Sequence, residues 1–377
     1  MPNIKTILFI IFSLILFSCT EKFYTEIDED VSILVVDGKI TDDNGNPCEV
    51  RLFRTVKFTD DFSLEPERDA IVILHDDLKQ TEILTEFEAG IYRSSSNEIN
   101  GTIGHSYWIE IQTIAGDKYE STPEKMNSPF EINSIYGDEQ IFITGENSKE
   151  KGVGIYFDAT NQNNKASHLR WEYRESYEWH SPFKVEDKFS EDATTICFPV
   201  NDFPLINIYD ASDLAKKEVN HLLTSEILQT EVKLEHIYLL DMHLYSTTRE
   251  NYEFWENMKA INQTNGNIYD VLPANIQGNI SSCENNCEVL GYFEASSVRK
   301  MKRFFTKNEF SLEFSDFDKS CEKFMKRYDM RTPPPPPDIY KIINSYQENT
   351  EMVYIVRWRY CYECNVIYPV NKPSFWP

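Results

Sequence analysis

"SILVVDGKITDDNGNPCEVRLFRT", residues 32–55, reads as strand, turn and returning strand. The β-branched run "SILVVDGKI" suits an extended backbone, "TDDNGNP" has the composition of a reversal, and "CEVRLFRT" carries the chain back. The same rhythm continues through "AIVILHD", "TEILTEF" and "GIYRSSS". The hairpin "YWIEIQTIAGDKYEST" closes the set, with Ala115, Gly116 and Asp117 at its bend. Short strands with regular turn signals predict a β-sandwich over residues 32–128.

A second β-rich region is predicted over residues 129–377. In "LRWEYRESYEWH" the odd positions Leu169, Trp171, Tyr173, Tyr177 and Trp179 are apolar. The even positions Arg170, Glu172, Arg174, Glu178 and His180 are polar. Period two over this length marks a strand with one dry face, and the aromatics are expected in a sandwich core. "VKLEHIYLLDMHLYS" and "EVLGYFEASSVRKMKRFF" read as long strands, and "EMVYIVRWRYCYEC" as the last strong one. One amphipathic helix is predicted near 247–263. Thr247 caps it, Glu250 reaches back, Phe254, Met258 and Ile261 share a face beside Trp255, and Asn265-Gly266 ends it. Residues 333–337 are consecutive prolines and read as a stiff spacer.

The start of the chain bears on location. Lys5 precedes an apolar run over residues 7–17, about half the roughly 20 residues a membrane-spanning helix needs. Leu16-Phe17-Ser18-Cys19 follows, in the form of a bacterial lipobox. Residues 1–18 are expected to be a lipoprotein signal peptide, with Cys19 lipidated through its nucleophilic thiol. Residues 19–31 are acidic and unpatterned and read as a tether. Several acyl chains at about 0.8 kcal/mol per buried CH₂ would make such an anchor effectively permanent.

Lys and Arg number 37 against 62 Asp and Glu, a net charge of −25. So acidic a chain repels nucleic-acid phosphates, and no nucleic-acid partner is expected. Eight cysteines are present. With Cys19 given to lipid, Cys48, Cys197, Cys283, Cys287, Cys321, Cys361 and Cys364 remain in a compartment where disulfides persist. Seven is odd, and Cys48, far from the rest in sequence, is expected to stay free. Disulfide candidates are Cys283, Cys287, Cys321, Cys361 and Cys364, closing a local loop or joining the last strand to Cys321; the connectivity stays open.

The segments that could carry chemistry have plainer explanations. Asp42-Asp43-Asn44-Gly45-Asn46 lacks the glycine placement of a calcium loop and reads as a turn. Cys283-x3-Cys287 with Cys361-x2-Cys364 has permissible zinc spacing, but exported thiols are expected to oxidise instead. Of seven histidines only His236 and His243, around Asp241, lie close in sequence, and strand alternation puts those two on opposite faces. No nucleophile elbow, His-Glu-x-x-His or phosphate-cradling glycine loop is present. Neither enzyme nor cofactor is expected. Arg299, Lys300, Lys302 and Arg303 form a basic knot, read as a solvated strand edge guarded by lysine.

Two resemblances add to this reading. "VDGKITDDNGNPCEVRLF" resembles the opening strands of transthyretin-like or carboxypeptidase-regulatory-like sandwiches, a likeness of fold without activity. "TTRENYEFWENMKAINQTNGNIYDVLPANIQGNI", "VLGYFEASSVRKMKRFF", a Cys-x-x-Cys and "KPSFW" occur in that order. Together with "ILVVDGKITDD" and "GIYRSSSNEINGTIGHSYWIEIQTIAGDKYEST", they resemble the domain-of-unknown-function family 4249 of Bacteroidota lipoproteins. The resemblance implies an outer-membrane lipoprotein, often encoded near TonB-dependent transporters, and supplies no catalytic residues. An acidic tether in that group favours the cell surface over the periplasmic face. The expectation is therefore a mainly β protein of two sandwich-like domains, the first transthyretin/Ig-like, the second with one helix and a last strand closed by cysteines. It would be an accessory binding lipoprotein beside a transporter, or else a surface protein capturing glycan or peptide with exposed aromatics.

Overall fold

The computed structural model describes residues 32–43, 45, 48–55, 64–95, 99–145, 148–183, 196–202, 205–263, 278–282, 288–314, 321–322, 324–329, 335, 339–348, 351–374 and 376. The expectations for residues 1–31, including Cys19, lie outside them. So do those for Asn44, Asn46, Asn265-Gly266, Cys283 and Cys287, and the proline run apart from Pro335.

Up to residue 125 the strands are β1 (Leu34–Thr41), β2 (Glu49–Thr55), β3 (Leu64–Pro66), β4 (Ile71–Asp76), β5 (Thr81–Ile83), β6 (Thr85–Glu88), β7 (Ile91–Arg93), β8 (Ser106–Gln112), β9 (Lys118–Ser121) and β10 (Glu124–Lys125). There follow β11 (Glu131–Gly145), β12 (Ser148–Thr160), β13 (His168–Tyr177), β14 (Trp179–His180), β15 (Ile196–Cys197), β16 (Val200–Asp202), β17 (Asn207–Asp210), β18 (Glu218–Leu228) and β19 (Ile237–Thr247). Helix α1 (Arg249–Gln263) precedes β20 (Ile280–Ser282), β21 (Val289–Thr306), β22 (Phe324–Asp329), β23 (Tyr340–Glu348) and β24 (Glu351–Trp358). The chain is mainly β, and α1 is the one α-helix among the described residues.

The largest sheet runs β16-β13-β19-β21-β1-β2-β7-β6, with β17 beside β13 and β3 beside β2. Its central feature joins the two ends of the sequence. β1 lies parallel to β21, Leu34 facing Val289 through Thr41 facing Ser296, while every other described pairing is antiparallel. Residues on both sides of 128/129 thus share one sheet. Gly291 makes the pairing possible: its φ is +111°, and a Cβ there would fall 1.8 Å from the Val36 carbonyl oxygen.

Alternation then decides what is dry. Leu34, Val36 and Ile40 of β1 and Val50 and Leu52 of β2 are buried. They meet Val72, Leu74, Ile109 and Ile111 of the sheet β20-β9-β8-β4-β5. A second core gathers Ile155 and Phe157 of β12 with Trp171 of β13, Met242 and Leu244 of β19, and Phe305 of β21. Phe293 and Ala295 belong to the first core and Phe305 to the second, all at odd positions of β21. Both cores therefore lie on the same side of the large sheet.

Several local expectations change. "TEILTEF" is two strands in different sheets: β5 pairs with β4 and β6 with β7, because buried Leu84 binds back to the Val72 carbonyl at 2.9 Å. "VKLEHIYLLDMHLYS" opens with a 3-10 turn, Val232–Leu234, before β19 begins at Ile237. Helix α1 is capped by Thr248, whose hydroxyl accepts from the Asn251 amide at 3.2 Å, and not by Thr247. Thr247 is the last residue of β19 and is buried. At the hairpin bend, Gly116 has φ +93° and its amide donates to the Thr113 carbonyl, as the sequence predicts.

Cys361 and Cys364 follow β24 in two short 3-10 turns, Arg359–Cys361 and Cys364–Val366. They do not close on each other. Cys361 is bonded to Cys321, and Cys364 to Cys197, a residue that sequence spacing does not single out. These bonds use two of the four thiols, Cys361 and Cys364, that the zinc site considered above would need. Cys48 is free and fully buried.

Candidate functional site

The outward face of the large sheet collects side chains that alternation turns away from the two cores. β1 presents Asp37 and Lys39, β2 presents Arg51, β13 presents Arg170, Glu172 and Arg174, and β19 presents Asp241, His243 and Tyr245. Helix α1 covers one end of this face, where Phe254 packs 5.0 Å from the Tyr292 ring. Trp376, the last residue of the "KPSFW" segment, covers the other end, against Phe198 and Phe304. Between them lies an open groove of about 690 Å³, walled by Arg51, Arg170, Arg174, Asp202, Asn207 and Trp255, among others.

Arg170 is the hinge of its electrostatics. Its Nη2 lies 3.1 Å from Glu294 Oε2, with both side chains nearly buried, and its Nη1 lies 2.5 Å from Glu172 Oε1. The guanidinium also sits 4.6 Å from the Tyr245 ring centroid and 5.1 Å from that of Trp255. Burial opposes its charge, but Glu294 and Glu172 outweigh that and hold its pKa above the usual arginine value. Burial also opposes the Glu172 charge, yet Arg170 and Lys39 draw its pKa down to about 2. Burial pushes Asp37 up, against the pull of Lys39 and Arg51. These charges are fixed in place by one another. Two donors lining this region, Arg170 Nε and Trp255 Nε1, are buried without a protein acceptor.

Where the start of helix α1 meets β10 and β21 lies a second buried acid. Glu124 accepts from the Tyr292 hydroxyl and, at 2.8 Å, from the Thr248 hydroxyl that caps α1. Burial raises its pKa to about 7, although both hydrogen bonds pull it down.

Sequence-predicted residues fall in and out of this site. Trp171, Tyr173, Tyr177 and Trp179 are buried in the second core, as expected. That face is not wholly apolar, however: Glu175 lies on it, fully buried, bound to Tyr238 Oη at 3.0 Å and Lys233 Nζ at 2.9 Å. Its cation arrives from the 3-10 turn, which sequence alternation does not reveal. Asp42 is a structural turn residue, binding the Val298 amide and Arg299. The basic knot is spoken for: Arg299 pairs with Asp42 and Glu131, Lys300 with Asp43, Lys302 with Asp241 and Arg303 with Glu309. Along the knot β21 pairs with β19 alone, since its ladder with β1 ends at Ser296.

His236 and His243 do not come together. His243 Nε2 lies 3.7 Å from Asp241, whereas His236 precedes β19 and stacks on His180 with ring centroids 3.7 Å apart. The spacing Glu178-x-His180 was the available signal for that neighbour, but its partner across the sheet required the strand register. Elsewhere, His75 stacks on Trp108, His105 binds Asp77 and His221 stacks on Tyr156.

The model of the family described as Domain of unknown function (DUF4249) matches residues 20–302, about three quarters of the chain. The chain belongs to that family. No curated protein matches it.

Proposed function

Taking membership of the DUF4249 family as the premise, we propose that this is a membrane-tethered binding lipoprotein that takes up a polar ligand in the outer-face groove. We place it at the outer membrane through lipid on Cys19, facing the cell exterior, and beside a TonB-dependent transporter whose uptake or assembly it serves. It works without catalysis. The observation that carries the reading is the groove itself. Its arginines and acids are held in fixed alternation across several strands, with Trp255 on its wall and two buried donors awaiting acceptors.

Concave sites that pair an apolar wall with a few fixed polar groups are the ordinary form of ligand pockets. The mixture of both charge signs suits a zwitterionic or hydroxyl-rich ligand, such as a short peptide or an oligosaccharide. A flat aromatic wall would add stacking to the polar contacts. Tethering near the transporter raises local concentration, so modest affinity is enough.

The test has two arms. Deleting the gene and measuring uptake across a broad nutrient panel should reveal one impaired substrate class; unchanged uptake throughout would count against the transport role. Titrating purified protein with peptide and oligosaccharide panels should yield a binder that Trp255→Ala weakens. A panel without binders would remove the groove's assignment.

A further inference from the structure

Away from the groove, Glu178, His180 and His236 bring two imidazole nitrogens and a carboxylate oxygen within 4.8 Å of one another. We propose that this trio is a binding site for a borderline divalent transition metal, with zinc as the test ion. Two imidazoles and one carboxylate are a donor set that such ions accept and that magnesium and calcium, which favour all-oxygen shells, do not.

The fold holds the trio from both sides. β13 ends with Tyr177 facing Tyr238, and the Glu178 amide continues that edge by donating to the Ile237 carbonyl at 2.9 Å. The next two residues form β14, paired with β15, where Trp179 faces Cys197. Cys197 is in turn bonded to Cys364. Strand pairing and a covalent bridge thus hold the backbone at Glu178 and His180, and the Glu178–Ile237 bond ties it to the residue that follows His236.

With metal–ligand distances of about 2.0–2.1 Å, tetrahedral geometry sets donor atoms about 3.3 Å apart. The donors now lie within 4.8 Å of one another, so the proposed site requires them to draw together by up to about 1.5 Å on binding. In the metal-free arrangement the rings stack at 3.7 Å with 26° between their planes, and His180 Nε2 lies 2.7 Å from Glu178 Oε1. All three side chains are half-buried beside a cavity of about 360 Å³ that also touches Ser181, Pro182 and Glu235. Glu235 is engaged by Lys307 at 2.7 Å, which leaves a fourth coordination position for water or an exogenous ligand.

The experiment uses the full chain purified in detergent, stripped with a chelator and titrated with Zn²⁺ against a colorimetric competitor. One equivalent should bind, and equal concentrations of Mg²⁺ or Ca²⁺ should not displace it. His180→Gln and His236→Gln should each weaken binding by at least about tenfold, since even outer-shell substitutions cost that much in metal sites. His105→Gln, which removes a histidine–carboxylate pair elsewhere, should leave it unchanged. Unaltered affinity and stoichiometry in the His180→Gln/His236→Gln double variant would overturn the site. Should a variant fail to fold, X-ray absorption of the zinc-loaded native protein decides: a nitrogen–oxygen shell with two imidazoles supports the assignment, and a sulfur-bearing or imidazole-free shell refutes it.

Discussion

Arg170 and Glu294 stand 124 positions apart in sequence and meet as a nearly buried ion pair on the outward face of the large sheet. Removing one partner strands the other. Glu294→Gln should destabilise the protein by about 3 kcal/mol, the lower end for breaking a buried pair because Glu172 still holds the guanidinium. The double variant Arg170→Met/Glu294→Leu should lose less than either single change. Urea unfolding measures both, and a Glu294→Gln protein as stable as the native one would remove the pair from any structural role.

Glu124 makes stability depend on pH in a direction opposite to that of an ordinary salt-bridged acid. Burial raises its pKa from 4.5 to about 7 in the folded chain. Its contribution is therefore complete below the unfolded value and disappears as pH rises through the folded one, a change of about 3 kcal/mol. Melting temperatures of native protein and Glu124→Gln, followed from pH 4 to 8, should diverge with the native protein losing ground as pH rises. A difference that stays flat, or grows in favour of the native protein, contradicts the assignment.

The cysteines predict a definite map. Peptides from unreduced protein should link Cys197 with Cys364 and Cys321 with Cys361, and a Cys361–Cys364 link would be incompatible with the structure. Reducing the bonds should cost about 3 kcal/mol or more, because the first one closes a long loop. Cys48 should resist alkylation until the chain unfolds, since burial pushes its thiol up and no solvent reaches it.

Gly291→Ala should be among the most damaging small substitutions, with a loss above about 2 kcal/mol. Both its positive φ and the Val36 carbonyl oppose a side chain there. Alanine at Gly116, which also has positive φ but open space around it, should cost less.

Period-two patterning made most strands legible, and it placed Trp171, Tyr173, Tyr177 and Trp179 correctly in a core. It could not show that β1 pairs with β21, because alternation fixes which way a side chain points and not which strand lies alongside. The same limit hid the groove, whose residues come from strands scattered along the chain. Thr247 and Thr248 illustrate a finer limit: both hydroxyls suit a cap, and only the end of β19 decides between them. Cys197 was invisible as a bridge partner since 167 positions separate it from Cys364.

The parallel seam also governs the order in which the molecule can mature. β1 emerges early in synthesis, yet the neighbour that covers one of its edges belongs to the last third of the sequence. Until that segment arrives, a row of valine and isoleucine carries unsatisfied amide and carbonyl groups into solvent, an invitation to aggregate. A nascent copy thus keeps that edge open through most of its synthesis, and a chain cut short before residue 289 would carry it permanently.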